Sequence, residues 1–197
     1  MQKISIVYNQ TGGSNMENIL ETIMDTLKSI RVQDEEQPLH VGEVMSCWIY
    51  LAGLELAKVS VQAGINTTTD DELKAILEED MKLGTSQRER LHEFMLKEGI
   101  TLPPAPEEMP ISDPNSIPPG VKLTDDVIAN ELSLKIISLI MRAAGAASES
   151  IRTDVGLMFI QFQSEKLAFA SRLKHLMRKR GWIKVPPFYV PPGSKQP

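Results

Sequence analysis

The chain has 197 residues, a formal net charge of −5, 42% hydrophobic residues and 24% charged residues, which is typical of one soluble globular domain. The single cysteine, Cys47, excludes an intramolecular disulfide framework. Neither a secretory signal nor an apolar run of the roughly 18–20 residues that a membrane span needs is visible. We therefore expect a cytoplasmic protein with no membrane span.

Charge is divided unevenly between two parts of the chain. Residues 1–123 carry 10 Lys and Arg against 20 Asp and Glu, whereas residues 124–197 carry 11 against 6. A basic part can indicate nucleic-acid binding, but the whole chain is acidic, and Arg178, Lys179 and Arg180 end a predicted helix, where cations complement the helix dipole. We expect the two parts to attract each other, and we expect no nucleic-acid partner.

The first 15 residues differ from the rest, because a short β-prone run is followed by Gly, Ser and Asn. One interpretation is a small edge strand. The other is a leader that is not native protein: Gly12 and Gly13 can be encoded by a ribosome-binding sequence just upstream of Met16, so that translation would begin at Met16. The codons of the two glycines distinguish these interpretations.

Apolar residues at spacings of three and four predict five helices. The first is short and amphipathic. A proline opens the second helix, Thr and Asp cap the next two, and glycines end the third and fifth. The predicted helices cover residues 16–31, 38–65, 70–98, 124–148 and 150–180, followed by a proline-rich and aromatic tail at 181–197.

A connector at 101–123 holds seven of the thirteen prolines and decides the topology. Extended as polyproline it spans about 70 Å, whereas a helix of about 26 residues is only about 39 Å long. It can therefore cross the whole bundle and make the helices on either side of it parallel. We expect an all-α, ferritin-like four-helix bundle, with residues 16–197 as one domain. A locally packed connector would give an up-down-up-down bundle instead.

The helix at 38–65 is apolar on two opposite faces. The inner face contains His40, Glu43, Cys47, Tyr50, Leu51, Leu54, Lys58 and Val61. The opposite face contains Val41, Met45, Trp48, Ile49, Ala52, Leu56 and Val59. Either the helix at 16–31 covers this second face, or a second copy of the chain does so in a homodimer formed by Val41, Trp48, Ala52, Leu56 and Val59.

Polar residues on inward faces are the candidates for chemistry, because unpaired buried charge is costly. In the crossover topology His40, Glu43 and Asp154 meet at one end, with His92 at a similar height, in a possible site for Fe, Mn or Zn. The alternative is that inward polar residues form structural ion pairs. Lys58, Asp80, Glu165 and Arg172 would pair in this way elsewhere in the bundle.

A complete di-iron site needs Glu-x-x-His on two helices. The chain offers one match, Glu89 to His92, and both residues project away from the apolar face of their helix. Cys47 lies on an apolar inner face, where cysteine behaves as a small hydrophobe. No phosphate-binding loop, dinucleotide fingerprint or nucleophile elbow is present. We therefore expect no catalytic residue and no resident cofactor, with the divalent metal as the alternative.

The tail reads GWIKVPPFYVPPGSKQP. Such a proline-rich, aromatic segment can be an exposed motif for a partner's groove. We expect instead that it folds back, with Trp182, Phe188 and Tyr189 packed on the bundle.

Several of these segments together resemble a family of ferritin-like helical proteins of endospore-forming bacteria that are commonly labelled spore coat proteins. The similarity lies in MENILETIMDTLKS, in LHVGEVMSCW at 39–48, in the proline-rich connector and in the GWIKVPPFYVPP tail, and it extends from Met16 to the C-terminus. The resemblance implies the bundle fold and a sporulation context, and no activity. Members often carry two bundles in tandem, so a function that needs the pair would need a dimer here. We expect a structural or interaction protein, with a metal-binding bundle as the alternative.

Overall fold

A computed structural model describes residues 37–193, so the expected segments 1–15 and 16–31 lie outside the described residues. The described part is all-helical. Each long helix begins and ends within three residues of its expected bounds. The elements are α1 (Val41–Thr67), α2 (Asp71–Lys97), a single 3-10 turn (Pro114–Ser116), α3 (Asp125–Glu149) and α4 (Thr153–Arg180).

Local polar contacts set the ends of the helices. The side chains of His40, Asp70 and Thr124 accept hydrogen bonds from the first-turn amides of α1, α2 and α3, respectively, which satisfies donors that a helix leaves unpaired. Gly181 ends α4 with a φ of 72°, a left-handed conformation that glycine adopts without steric cost.

Contacts at the two ends of the bundle confirm the crossover topology. At one end, Glu43 at the start of α1 contacts Arg152 at the start of α4. At the other end, Thr68 Oγ1 after α1 donates to Asp125 Oδ1 at the start of α3 (2.6 Å). Since α1 is antiparallel to both α2 and α3, α2 and α3 are parallel, and the connector runs the length of the bundle between them. The protein is therefore a ferritin-like four-helix bundle.

The apolar core consists of two clusters, one toward each end. Tyr50, Phe159 and Phe162 form the centre of the first, with ring centroids 5.5–6.0 Å apart. Phe169 and Leu73 belong to the second. The aromatic rings are close-packed, and buried polar groups lie between the two clusters and at the ends of the bundle.

The inward face predicted for α1 is largely confirmed. For α4, apolar spacing predicts an inward face that contains Val155, Phe162, Phe169 and Leu176 and, between them, Met158, Glu165 and Arg172. The first four are buried, but the intervening positions are displaced by one residue, and Arg172 is exposed. The observed inward face of α4 follows a heptad spacing. Lys166 lies in it between Phe162 and Phe169, so the apolar pattern alone does not identify this lysine as an inward residue. The buried members of this face are Val155, Phe159, Phe162, Lys166, Phe169, Leu173 and Leu176.

The expected mutual pairing of Lys58, Asp80, Glu165 and Arg172 is also wrong. Lys58 pairs with Glu108 in the connector, Glu165 with Arg90, and Arg172 with Glu79. Only Asp80 is buried, and its partner is Lys166. On α4 the physical reason is the displaced inward face, which turns Arg172 outward and Lys166 inward. Lys58 lies on α1 beside the connector, where Glu108 is its partner.

Acidic residues of α2 and basic residues of α4 do attract each other across the bundle surface. Lys179 Nζ lies 2.8 Å from Glu72 Oε1, and Arg180 Nε lies 2.8 Å from Asp70 Oδ2. Lys179 and Arg180 at the basic end of α4 are therefore paired within the chain.

The tail departs from expectation after Trp182. Trp182 packs against the second core cluster, but Phe188 is 88% exposed and Tyr189 83% exposed, so the expected packing of these two rings is wrong. Lys184 is held by Asp126 (2.7 Å), and Pro186 and Pro187 keep the next residues extended. The two rings are therefore not packed against the described part of the bundle.

Candidate functional site

The His40 end of the bundle is organised by one buried carboxylate. Glu43 Oε1 accepts hydrogen bonds from the amides of Ile151 (2.9 Å) and Arg152 (2.8 Å), and Glu43 Oε2 accepts from the amide of His40 (3.1 Å). The first two amides belong to the turn that enters α4, which has no side-chain cap of its own. Glu43 thus joins the start of α1 to the turn between α3 and α4.

Gly42 has a steric reason to lack a side chain. His40 Nδ1 accepts from the Gly42 amide at 3.0 Å, and a Cβ at position 42 would lie 2.7 Å from His40 Cε1. The His-x-Gly-Glu segment of the sequence therefore caps α1. The His40 side chain accepts from the Gly42 amide, and the Glu43 side chain accepts from the His40 amide.

Arg152 fills the space between the acidic groups at this end. Its guanidinium is 4% exposed and is bidentate to Glu98 (2.9 and 3.0 Å) and to Asp154 (3.0 and 2.6 Å). The hydrogen bonds that Arg152 donates to Asp154 first, and then to Glu98, raise the pKa of Arg152 above its usual range. Two carboxylates around one guanidinium form a charge-assisted lock between α2 and α4.

The four proposed metal ligands are not brought together as one set. His40 Nε2 lies 3.7 Å from Glu43 Oε2, Asp154 is engaged by Arg152, and His92 is exposed on α2. Across residues 37–193, no group of three or more His, Cys, Asp or Glu side chains is placed to hold a metal ion. The guanidinium of Arg152 already supplies the positive charge that these carboxylates require.

Farther along the axis, a chain of hydrogen bonds links three helices. Tyr50 on α1 donates to Gln87 Oε1 on α2 (3.0 Å), and Gln87 Nε2 donates to Glu165 Oε2 on α4 (2.8 Å). Glu165 also accepts from Arg90 (2.7 Å). Burial first, and the nearby Glu165 carboxylate second, raise the pKa of Tyr50 above its usual range, so the phenol stays neutral and donates.

The next polar group is a buried ion pair. Lys166 Nζ donates to Asp80 Oδ1 at 2.8 Å, and the two side chains are 1% and 5% exposed. The neighbouring cavity has a volume of about 10 Å³, which is no more than one water molecule needs. This part of the core therefore has no room for a substrate.

Cys47 is fully buried beside the first core cluster. Burial, followed by the negative charges of Glu43 and Asp154, raises the pKa of the thiol to about 12. The neutral thiol is a poor nucleophile. Apart from His40 Nε2, which is buried and has no hydrogen-bond partner among the described residues, these inward polar groups hold the bundle together. The surface carries further features without an internal partner.

The first surface feature is the outer face of α1, which we define as Val41, Met45, Trp48, Ala52, Leu56 and Val59. Val41 is 82% exposed and Leu56 65% exposed, with Met45 and Trp48 between them at 53% and 39%. Of the described helices, α1 is the one whose length and composition alone would suffice to cross a membrane. Its inner face is packed in the core, so the exposed apolar residues form a stripe along one side.

The second surface feature is an apolar groove between α3 and α4, with a volume of about 390 Å³. Ile137 and Met141 of α3 and Leu167 of α4 stand on its walls, and they are 48%, 69% and 51% exposed. Ile183 and Lys184, from which the tail departs, line the same groove. Sequence analysis did not find it, because exposed apolar residues of two helices converge only in the folded bundle.

Comparison with known proteins gives relatives of the same size. The chain is 29% identical over 156 residues to the uncharacterized protein YvdQ of Bacillus subtilis (strain 168), an alignment that covers 79% of this chain and 92% of that protein. The crystal structure of a "putative spore coat protein" from Bacillus halodurans C-125 matches with a TM-score of 0.78 and 31% identity, over 81% of this chain and 100% of that one.

A more distant structure supports the fold alone. A two-domain protein of Anabaena variabilis ATCC 29413, with DJ-1/ThiJ/PfpI-like and ferritin-like domains, matches with a TM-score of 0.57 and 16% identity, over 78% of this chain and 41% of that one. A family model described as "Protein of unknown function (DUF3231)" matches residues 28–194. The chain therefore belongs to the DUF3231 family.

Proposed function

We propose that this protein is a non-catalytic interaction protein of the spore, which associates with a second copy of itself through the outer face of α1. The spore context rests on the name of the Bacillus halodurans relative. The absence of catalysis rests on the buried carboxylates, Arg152 and Lys166, which are paired with one another. The association rests on the outer face itself.

The observation that carries the proposal is the symmetry of this apolar stripe. Relative to Ala52, Trp48 and Leu56 lie four residues to either side, and Met45 and Val59 lie seven residues to either side. An antiparallel copy centred on Ala52 therefore places Trp48 against Leu56 and Met45 against Val59. A twofold interface requires such self-complementarity.

The size of the stripe suits a second helix of the same kind. The distance from Val41 to Val59 is about 27 Å along a helix axis, and the stripe contains no charged residue. Ala52, the smallest side chain, lies at the centre, where two helices would approach most closely. The outer face of α1 in a second copy of the chain has the same length and the same apolar pattern.

Sedimentation equilibrium of the full chain tests the proposal. We expect self-association at micromolar concentration and a smaller assembly for Leu56→Glu, because the substitution places a carboxylate twice in one twofold interface. The matched control is Leu96→Glu, since Leu96 on α2 has a similar exposure of 58% and should leave the assembly unchanged. A full chain that sediments as a monomer would overturn the proposal and favour residues 16–31 as the segment that covers the face.

A further inference from the structure

Two aromatic side chains of the tail do not pack against the described part of the bundle. The root of the tail is fixed, because the Trp182 carbonyl accepts from Asn130 Nδ2 (3.0 Å) and Lys184 pairs with Asp126. Beyond this root, Phe188 and Tyr189 are almost fully exposed. Exposing two adjacent aromatic rings forgoes a large hydrophobic gain, so such rings commonly mark a contact with another molecule.

The groove between α3 and α4 has the properties of a receptor for such rings. Its volume of about 390 Å³ falls within the range of pockets that bind compact apolar groups, about 300–1,000 Å³. Ile137, Met141 and Leu167 supply apolar walls, whereas Ser133 and Lys174 supply polar groups at the edge. A phenol needs this combination, since its ring is apolar and its hydroxyl requires a partner.

The aromatic rings of the same chain's tail lie outside this groove, because Lys184 lines it but Phe188 and Tyr189 do not, and both rings are almost fully exposed. Pro186 and Pro187 favour an extended conformation. An extended segment gains about 3 Å per residue, so Phe188 lies about 12 Å along the chain from Lys184, with no turn between them that returns it to the groove. A tail from another copy meets no such restriction.

We propose that the groove between α3 and α4 receives Phe188 and Tyr189 from the tail of a second copy. This inference shares with the proposed function the premise that the protein self-associates, but it uses a different surface, because α1 contributes no residue to the groove. Proline-flanked segments suit such docking, since they are already extended before they bind.

Reciprocal exchange of tails gives enough contact for a stable pair. Each aromatic ring buries about 150–250 Å², so four rings and the two grooves that receive them approach the roughly 1,600 Å² of a standard interface. A one-way contact would bury half as much. Together with the outer face of α1, exchanged tails give each copy two separate interfaces, which permits assemblies larger than a dimer.

A peptide titration tests the tail and groove directly. The probe is a fluorescent peptide with the sequence of residues 184–193, KVPPFYVPPG, titrated into full-length protein that carries Phe188→Ser and Tyr189→Ser so that its groove is vacant. We expect saturable binding at one site per chain, weakened at least tenfold by Met141→Glu. The matched control, Met109→Glu in the connector, should bind the peptide normally. Lack of saturable binding, or binding that Met141→Glu leaves unchanged, would overturn the proposal.

Sedimentation separates this interface from the one on α1. The Leu56→Glu chain should still associate through its tails, and adding Phe188→Ser and Tyr189→Ser should make it monomeric. If the tail substitutions change neither this chain nor the parent, tail exchange is refuted whatever α1 does. If Leu56→Glu changes nothing while the tail substitutions abolish association, the proposed function of α1 fails and the tail proposal stands.

Discussion

Removing Lys166 should destabilise this protein more than removing a surface charge. Lys166→Met deletes the ammonium group that donates to Asp80 at 2.8 Å, in a pair whose side chains are 1% and 5% exposed. The carboxylate would then lose its counter-ion beside a cavity of only about 10 Å³. Breaking a buried pair by removing one partner costs about 3–5 kcal/mol, and we expect that loss in the free energy of unfolding.

Two further variants identify the origin of this loss. The double variant Asp80→Leu, Lys166→Met removes both charges and should be as stable as the parent or more stable by about 1–4 kcal/mol, because desolvation of the pair is also removed. Arg172→Met breaks the surface pair with Glu79 and should cost about 0.2–1 kcal/mol. The single change at Lys166 should thus be the most damaging of the three.

Urea unfolding followed by circular dichroism at 222 nm measures all three free energies. The reasoning would be refuted if Lys166→Met lost less than about 1 kcal/mol, the value of an exposed pair. It would also be refuted if the double variant were less stable than Lys166→Met, since a charge without its partner would then cost nothing.

Gly42→Ala should displace the His40 ring that caps α1 and cost about 1 kcal/mol of stability, whereas unchanged unfolding in urea would show that the cap contributes nothing. A hydrogen bond from Arg180 lowers the pKa of Asp70 in the folded protein. The ionised Asp70 carboxylate therefore stabilises the fold at a pH above the pKa of the unfolded carboxyl, and this stabilisation is lost as pH falls through the lowered pKa of the folded state. Asp70→Asn should therefore reduce the loss of stability in acid, as measured by thermal unfolding below about pH 4. Cys47, with a thiol pKa of about 12, should react with a thiol reagent at pH 8 only after denaturation. Protein purified without chelator should contain no stoichiometric metal by elemental analysis and should keep its melting temperature in EDTA; stoichiometric metal would contradict the structural role given to the acidic cluster.

The long-range arrangement of the bundle could be predicted from the sequence because the connector is long enough to cross it. The proline content of residues 101–123 favours an extended connector over a locally packed one, and an extended connector fixes which helix ends meet. For the same reason the prediction placed Glu43 and Asp154 at one end of the bundle, where they are found.

The chemistry at that end could not be predicted from helical periodicity. Arg152 lies just before α4, outside any helical face, so the pattern showed acidic groups without the cation that joins them. Lys166 was missed for a related reason, because a lysine within an apolar series is ordinarily assigned to the surface. The position of Lys166 depends on a rotation of α4 by one residue or less, which apolar spacing does not resolve.

The tail shows a different limit of pattern analysis. Its apolar composition predicted packing for Phe188 and Tyr189, whereas both are exposed in the structure. Composition alone does not distinguish an apolar segment that packs on its own bundle from one that stays exposed after a local anchor such as the Lys184–Asp126 pair.

A cysteine at the centre of the outer face of α1 tests self-association most directly. In an antiparallel pair centred on Ala52, the two copies of this residue face each other across the twofold axis, where small side chains let helices approach closely and the Cα separation of a disulfide, about 4.4–6.8 Å, can be reached. The full-length Ala52→Cys protein should form a covalent dimer under mild oxidation, whereas Ala75→Cys, at an exposed alanine of α2, should not; native Cys47 is buried and should not take part. Equal cross-linking of both variants, or no cross-linking of Ala52→Cys, would contradict the account.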